Sequence, residues 1–244
     1  HVKFGKEIYS YNQSRYLLSC TTIPADVKIT NCTQESPYIA LVLRFTLDEI
    51  YDVIKDIKNP ALKKTKKVQS ALCFNRLDET IIEPLHRLIT LLDKPQEKID
   101  FMAPLIKKEI IYTLIQNDEE FLQNYVFEGN VANQIVKVIS EIKNNFNEPI
   151  NIADIAKKLH ISEATLYHNF KKVTSISPLQ YQKKIRLEEA KNMLMSQNIS
   201  AHEIAFHVGY ESPSQFSREY SRMFGMSPKS HAQFLRSNSL ASVS

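Results

Sequence analysis

Residues 199–228 read ISAHEIAFHVGYESPSQFSREYSRMFGMSP, and residues 150–178 read INIADIAKKLHISEATLYHNFKKVTSISP. These are two versions of one pattern. Ile155-Ala156 aligns with Ile204-Ala205 and Leu159 with Val208, at an offset of 49 residues. Past the turn the offset is 50: Leu166 aligns with Phe216, Phe170 with Tyr220, Val173 with Met223 and Ser177-Pro178 with Ser227-Pro228. One residue is inserted in the second turn, and the register holds on either side of it. The apolar positions recur at helical spacing on each flank, so each copy predicts a short helix, a tight turn and a second helix with its own inward stripe. The pattern predicts two helix-turn-helix units in tandem.

The residues around each turn support that reading. In the first copy Asn151 is suited to cap a helix whose inward positions are Ile152, Ile155, Ala156 and Leu159, and Asp154 approaches a capping-box arrangement. The turn falls at His160-Ile161, and His tolerates positive φ better than most residues. Ser162 then caps the second helix. In the second copy Ser200 and Glu203 form a full S-x-x-E capping box, and Gly209 takes the turn. Ser212-Pro213 supplies an N-cap followed by proline at the first helical position, and Gly225 closes that helix.

Between the units runs PLQYQKKIRLEEAKNMLMS, residues 178–196, with Leu179, Ile185, Leu187, Ala190 and Leu194 as packing positions. A helix of this length spans about 28 Å at about 1.5 Å per residue. That length suits two recognition helices set about one DNA turn (~34 Å) apart, in adjacent major grooves. A helical bundle whose repeat reflects packing alone is the competing reading of one isolated copy; two copies joined by a helix of suitable length favour DNA.

Residues 131–235 resemble the DNA-binding domain of the AraC/XylS family of transcriptional regulators. The stretch Ala205-Phe206-His207-Val208-Gly209-Tyr210-Glu211-Ser212-Pro213-Ser214-Gln215-Phe216-Ser217-Arg218-Glu219-Tyr220 carries most of the resemblance, and Phe224-Gly225-Met226-Ser227-Pro228 closes it. The upstream segment is similar, more loosely, to the family's N-terminal domain, a cupin-like barrel followed by helices. The first copy has Ser175 where many members have glycine. The resemblance implies an α+β N-terminal domain over residues 1–125, a linker at 126–130 and an all-α DNA-binding domain at 131–235. Within the latter, the first unit occupies 151–173, the linker helix 178–196 and the second unit 200–224, with a disordered tail expected at 236–244.

The resemblance also implies which side chains face the major groove: Ala164, Thr165, Tyr167 and His168 in the first unit, and Pro213, Ser214, Gln215 and Arg218 in the second. Arg218 suits a guanine edge and Gln215 an adenine edge, each worth roughly 1–3 kcal/mol of discrimination. Lys171, Lys172 and Arg222 are expected on phosphates, which set register without reading sequence; an ordinary solvated face is the bland reading of the lysine pair. Tyr167, next to inward Leu166, is expected to face out. With more Arg and Gln at reading positions, the second unit is expected to contribute much of the sequence preference.

Whole-chain properties agree. At 244 residues two domains are the natural expectation. Residues 131–244 hold 14 Lys and Arg against 9 Asp and Glu, a balance of +5, while residues 1–130 hold 17 against 18, a balance of −1. The basic excess lies with the repeat, as phosphate binding requires. No apolar run is long enough for a membrane span. The chain opens on His1 and shows no leader-like segment. Cys20, Cys32 and Cys73 are scattered without C-x-x-C spacing, which fits a reducing cytoplasm, the expected location.

The first half predicts strands over residues 3–10, 15–20, 27–32 and 38–45, rich in β-branched and aromatic residues, with a turn at Asn12-Gln13-Ser14. Helices are expected from Leu47 to about Asp56, then near Glu79–Leu92, Ile99–Gln116 and Asp118–Tyr125. Lys63-Lys64-Thr65-Lys66-Lys67 reads as a solvated loop. Four strands make only part of a cupin-like barrel, and the two long helices are expected to form a homodimer surface.

A small-molecule effector, if one exists, is not identified by the sequence. A pocket would be lined by Tyr9, Tyr11, Tyr16, Tyr38 and Phe45, positions that serve a core equally well. Residues 2–85 contain no His, and His86 falls in a helical segment, so no metal and no cofactor are expected. Oxidant sensing by Cys20 or Cys32 is a second idea, against the commoner case of a buried structural thiol. Enzymatic activity is not expected. There is no Gly-rich phosphate loop, G-x-S-x-G elbow or H-E-x-x-H. The family variant fused to a cysteine methyl-acceptor domain would need a four-cysteine zinc site and a Pro-Cys-His segment, both missing here; His202 and His207 flank a helix of the second unit without forming a site. The expected function is sequence-specific binding of double-stranded DNA by a transcriptional regulator, with RNA polymerase as a partner if it activates. The alternative is a regulatory interaction module that needs a partner or inducer for specific DNA binding.

Overall fold

The computed structural model describes residues 1–4, 6–10, 12–21, 26–30, 32–33, 35–57, 70–126, 130–196 and 199–241. The expected lysine-rich loop at 63–67, Tyr11 and most of the expected linker lie outside them. The chain divides into two compact units, His1–Val136 with Lys172–Ser175, and Lys137–Lys171 with Ile176–Ser244.

The first unit starts with short strands: β1 Val2–Phe4, β2 Glu7–Tyr9, β3 Arg15–Ser19 and β4 Asp26–Val27. The expected single strand over 3–10 is instead a hairpin, with Val2 opposite Tyr9 and Phe4 opposite Glu7. β4 pairs antiparallel with the other edge of β1. β3 pairs antiparallel with β5, Leu72–Arg76, in register from Arg15↔Arg76 to Ser19↔Leu72. The turn expected at Asn12-Gln13-Ser14 forms, with Arg15 N–H donating to the Asn12 carbonyl at 3.2 Å.

The described strands thus form one three-stranded and one two-stranded sheet, and no closed barrel exists among the described residues. The described residues show a few short strands with helices, and not the expected partial cupin-like barrel as such. Residues 38–45 form no strand. Their β-branched composition suits a pleated surface with one face covered, whereas Ile39 is 85% and Val42 73% exposed. The expected strand over 27–32 shrinks to β4.

Four helices complete this unit's core. α1 Leu47–Asp56 has a full capping box, with Thr46 and Glu49 bonding each other's backbone N–H. Its Val53 and Ile54 pack on Ile111 and Ile115 of α3, Gln96–Asn117. α2, Glu79–Thr90, is capped by Asp78 and tightens into a 3-10 turn at Leu91–Asp93. Ile81 and Leu91 pack against Ile106, Ile110 and Leu114 of α3. Each such fully buried side chain stabilises by about 1.5–3 kcal/mol. α4, Glu119–Val126, follows Asp118, a buried carboxylate that accepts from Tyr16 Oη at 2.6 Å and Asn75 Nδ2 at 2.9 Å.

The helical half contains α5 Val131–Asn144, α6 Ile152–Lys158, α7 Glu163–Thr174, α8 Pro178–Ser196, α9 Ala201–His207, α10 Pro213–Phe224 and α11 Pro228–Ala241. α8 matches the expected linker helix end to end, because Ser177 caps it and Pro178 starts it: Gln180 N–H donates to Ser177 Oγ, and Ser177 N–H donates to Gln180 Oε1. Its Leu187, Ala190 and Leu194 pack with Ile204 and Ala205 of α9, with Val208 at the end of that helix, and with Phe216 and Tyr220 of α10. Leu179, expected inside, is 49% exposed. α11 runs helical to Ala241, in place of the disordered tail expected from 236; its His231 bonds the Tyr220 hydroxyl at 3.0 Å.

The repeat is visible in the backbone. His160 and Gly209 hold φ of 54° and 85° at the two turns, and Ser175 and Gly225 hold 64° and 78° at the two helix ends. Residues other than Gly lose roughly 1–2 kcal/mol in this left-handed region. Replacing Ser175 with Gly is therefore expected to raise stability by about 0.5–1 kcal/mol, read as a higher urea midpoint with unchanged m-value.

Candidate DNA interface

Each helix-turn-helix is closed by the same bonds. Ile161 N–H donates to the Ala156 carbonyl at 3.1 Å and Tyr210 N–H to the Ala205 carbonyl at 2.9 Å. The turn residue donates to the last turn of its helix in both copies, His160 to Lys157 and Gly209 to Phe206. The caps are as expected: Asn151 Oδ1 accepts from Asp154 N–H, Ser200 and Glu203 form a reciprocal box, and Ser212 Oγ accepts from Gln215 N–H. Ser162 Oγ accepts from Thr165 N–H.

Burial sorts the second helix of each unit into two faces. Leu166 and Phe170 of α7, like Phe216 and Tyr220 of α10, are fully buried. Ala164, Thr165, His168, Lys171 and Lys172 are exposed on α7, and Ser214, Gln215, Arg218 and Arg222 on α10. Two expected positions are less open. Tyr167 is half-buried, and Pro213 at the start of α10 is also partly covered. The Thr165 hydroxyl is engaged with Ser162 Oγ at 2.8 Å.

Residues 1–120 match the family model described as the AraC-type transcriptional regulator N-terminus, and residues 155–233 match a helix-turn-helix domain model. The chain belongs to the AraC/XylS family. It is 25% identical over 182 residues to the Msm operon regulatory protein of Streptococcus mutans, covering 72% of this chain and 64% of that protein. It is 27% identical over 156 residues to the HTH-type transcriptional activator RhaS of Escherichia fergusonii, covering 63% of this chain and 55% of that one. With the lactose operon transcription activator of Staphylococcus xylosus it shares 28% over 154 residues, covering 62% and 54%. The chain thus spans less than two thirds of the length of each of these relatives.

Two polar residues of this AraC/XylS unit organise the site, and the sequence reading passed over both. Arg186 of α8 donates from Nε to the Phe146 carbonyl at 2.7 Å and from Nη1 to the Gly209 carbonyl at 2.7 Å. Its Nη2 donates to the Asn147 and Glu148 carbonyls, each at 3.2 Å. One guanidinium therefore ties the turn after α5 to the turn of the second unit, and its Cζ lies 5.9 Å from the Tyr210 ring centre. Burial lowers its proton affinity, against the pull of Tyr210, Glu148 and Glu219. Gln182, one turn earlier, donates to the Phe146 carbonyl as well. A Gln and an Arg four apart beside Leu187 and Ala190 is the only sequence signal for this clamp.

Glu219 of α10 is the second. Its Oε1 accepts from Lys183 Nζ at 3.0 Å and its Oε2 from the Tyr210 hydroxyl at 2.9 Å. It also faces exposed Gln215, one turn back, whose Nε2 is 3.4 Å from Oε1.

The N-terminal compact unit holds a cavity of about 710 Å³. Tyr16, Tyr38 and Phe45 line it as expected; Tyr9 does not, and stacks on Phe74 with ring centres 4.4 Å apart. All three cysteines are free thiols. Burial, reinforced by neighbouring Cys73, pushes the Cys20 thiol well above its ordinary value, and burial with Asp118 beside it pushes Cys73 up to about 12. These shifts favour the thiol over the reactive thiolate at both positions. Among the described residues no three His, Cys, Asp or Glu side chains gather as a metal site, and no helix is long and apolar enough to cross a membrane.

Proposed function

We propose that the chain is a sequence-specific DNA-binding transcriptional regulator, acting as an activator, that reads adjacent major grooves with α7 and α10. The carrying observation is the paired geometry. Two helix-turn-helix units with matching turn bonds each present an exposed polar face early in their second helix. Ala164, Thr165, Tyr167 and His168 are assigned to bases in the first unit, and Pro213, Ser214, Gln215 and Arg218 in the second. Lys171, Lys172 and Arg222 are assigned to phosphates. Half-buried Tyr167 and the bonded Thr165 hydroxyl shift weight further to the second unit, where Arg218 and Gln215 are open. The place of action is the cytoplasm, with RNA polymerase as partner, and no catalytic role is assigned.

The test separates the two kinds of contact. Arg218→Ala is expected to cost about 1–3 kcal/mol, concentrated at one base pair. Replacing Lys171 and Lys172 with Ala should weaken all duplexes alike and flatten the salt dependence of log K by about one to two units. Equal loss across sequences for Arg218→Ala would remove it from the reading set.

The N-terminal compact unit is assigned to regulation, with the cavity beside Tyr16 and Phe45 as the place for an effector, and to homodimerisation through α2 and α3. Ile82, Ile89 and Leu92 and, on α3, Phe101, Leu105 and Tyr112 are exposed, Leu92 by 75% and Phe101 by 71%. Apolar side chains so placed favour a partner surface. A dimer is expected by light scattering at micromolar concentration, and Phe101→Lys should shift it to monomer. A wild-type monomer would refute the assignment.

A further inference from the structure

Gln215 sits on the exposed face of α10, and a free glutamine amide presents a donor and an acceptor in either order. Glu219 removes that freedom. Its side chain is 18% exposed, and its carboxylate is held from three directions: Lys183 on α8, the Tyr210 hydroxyl at the turn, and Gln215. Burial works against the ionised form, yet the bonds from Lys183, Tyr210 and Gln215 outweigh it and hold the carboxyl below its usual range. The group facing Gln215 is thus a fixed anion. At 3.4 Å the direct bond is long, but the charge acts on the whole amide dipole: it attracts the NH₂ end and repels Oε1. With one N–H turned toward Glu219, Gln215 presents Oε1 and its second N–H outward. That pair complements the N6 donor and N7 acceptor of adenine in the major groove.

Resting on the DNA-reading function above, we propose that Glu219 is a positioning residue for base specificity, orienting the Gln215 amide so that it selects adenine. It touches no base itself. Lys183 keeps the carboxylate in place and offsets the negative charge it brings to a helix facing phosphates.

The experiment uses the full chain and a duplex enriched by it from a random pool, together with single base-pair replacements at every position of that duplex. Affinities are measured for wild type, Gln215→Ala, Glu219→Gln and the double variant. Glutamine keeps the shape of Glu219 but bonds either end of the Gln215 amide, so the orientation is released. Glu219→Asp, which keeps the charge and withdraws it, is the second variant should Glu219→Gln fold poorly. Gln215→Ala is expected to abolish an adenine preference at one position. Glu219→Gln should lower discrimination there at least threefold, and add nothing in the Gln215→Ala background. A uniform loss of affinity with discrimination intact would overturn the proposal and leave Glu219 a structural residue. Unchanged preference everywhere in Gln215→Ala, with Arg218→Ala still losing a position, would overturn it while DNA reading stands. A wild-type chain that enriches no sequence would overturn DNA reading and the proposal with it.

Discussion

Gly209→Ala is expected to destabilise the helical half by about 2–5 kcal/mol, the sum of a left-handed residue at roughly 1–2 kcal/mol and overpacking at about 1–3 kcal/mol. The φ at Gly209 is +85°, and a Cβ there would lie 2.2 Å from the Asn147 carbonyl oxygen and 2.8 Å from its carbon, both backbone atoms. Neither can move away without disturbing the turn after α5. Gly225 supplies the control. Its φ is +78°, yet a Cβ there meets nothing within 4 Å. Gly225→Ala therefore isolates the conformational part, and the difference between the two urea-unfolding free energies measures the clash. Equal losses would show that the turn of the second unit is not packed against residue 147.

Arg186→Ala is the second large effect, about 3 kcal/mol. Hydrogen bonds to a charged donor contribute about 1.5–3 kcal/mol each, and an unsatisfied buried acceptor costs about 1–3 kcal/mol. The bonds from Nε and Nη1 are partly buried and carry most of this, whereas the two from Nη2 face solvent. Arg186→Lys should recover little, since a single ammonium cannot reach carbonyls on both turns as the planar fork does. Thermal unfolding of both variants checks this; full recovery by lysine would reduce the clamp to a charge effect. The guanidinium Cζ would itself be 2.9 Å from a Cβ at 209. The Arg186 and Gly209 substitutions share one contact, so their effects should not add.

What was legible in the sequence follows from what is local. The helix-turn-helix pairs, α8 and the caps at Asn151, Ser200 and Ser212 were readable because cap, turn and apolar spacing lie within a few residues of each other. His160 at positive φ was readable for the same reason. β5 was not: LCFNR lacks alternation, and its partner β3 lies more than fifty residues upstream. Residues 38–45 failed in the opposite direction, with strand-like composition but no covered face. Among site residues, the exposed set on α10 came from the family resemblance, while Arg186 and Glu219 acquire their roles only when α8 packs against the second helix-turn-helix. Tyr167 misled because neighbouring Leu166 fixes the helix face only to within one side chain's width.

Selection of bound sequences from random duplex DNA tests the central claim most directly. Enrichment of a site about 20 base pairs long, with two major-groove blocks about one helical turn apart, is the predicted result. The block lost in Arg218→Ala should be the more strongly conserved of the two. Enrichment of nothing, with equal affinity for a scrambled duplex across a salt titration, would contradict the claim and leave a module whose specificity comes from a partner or inducer.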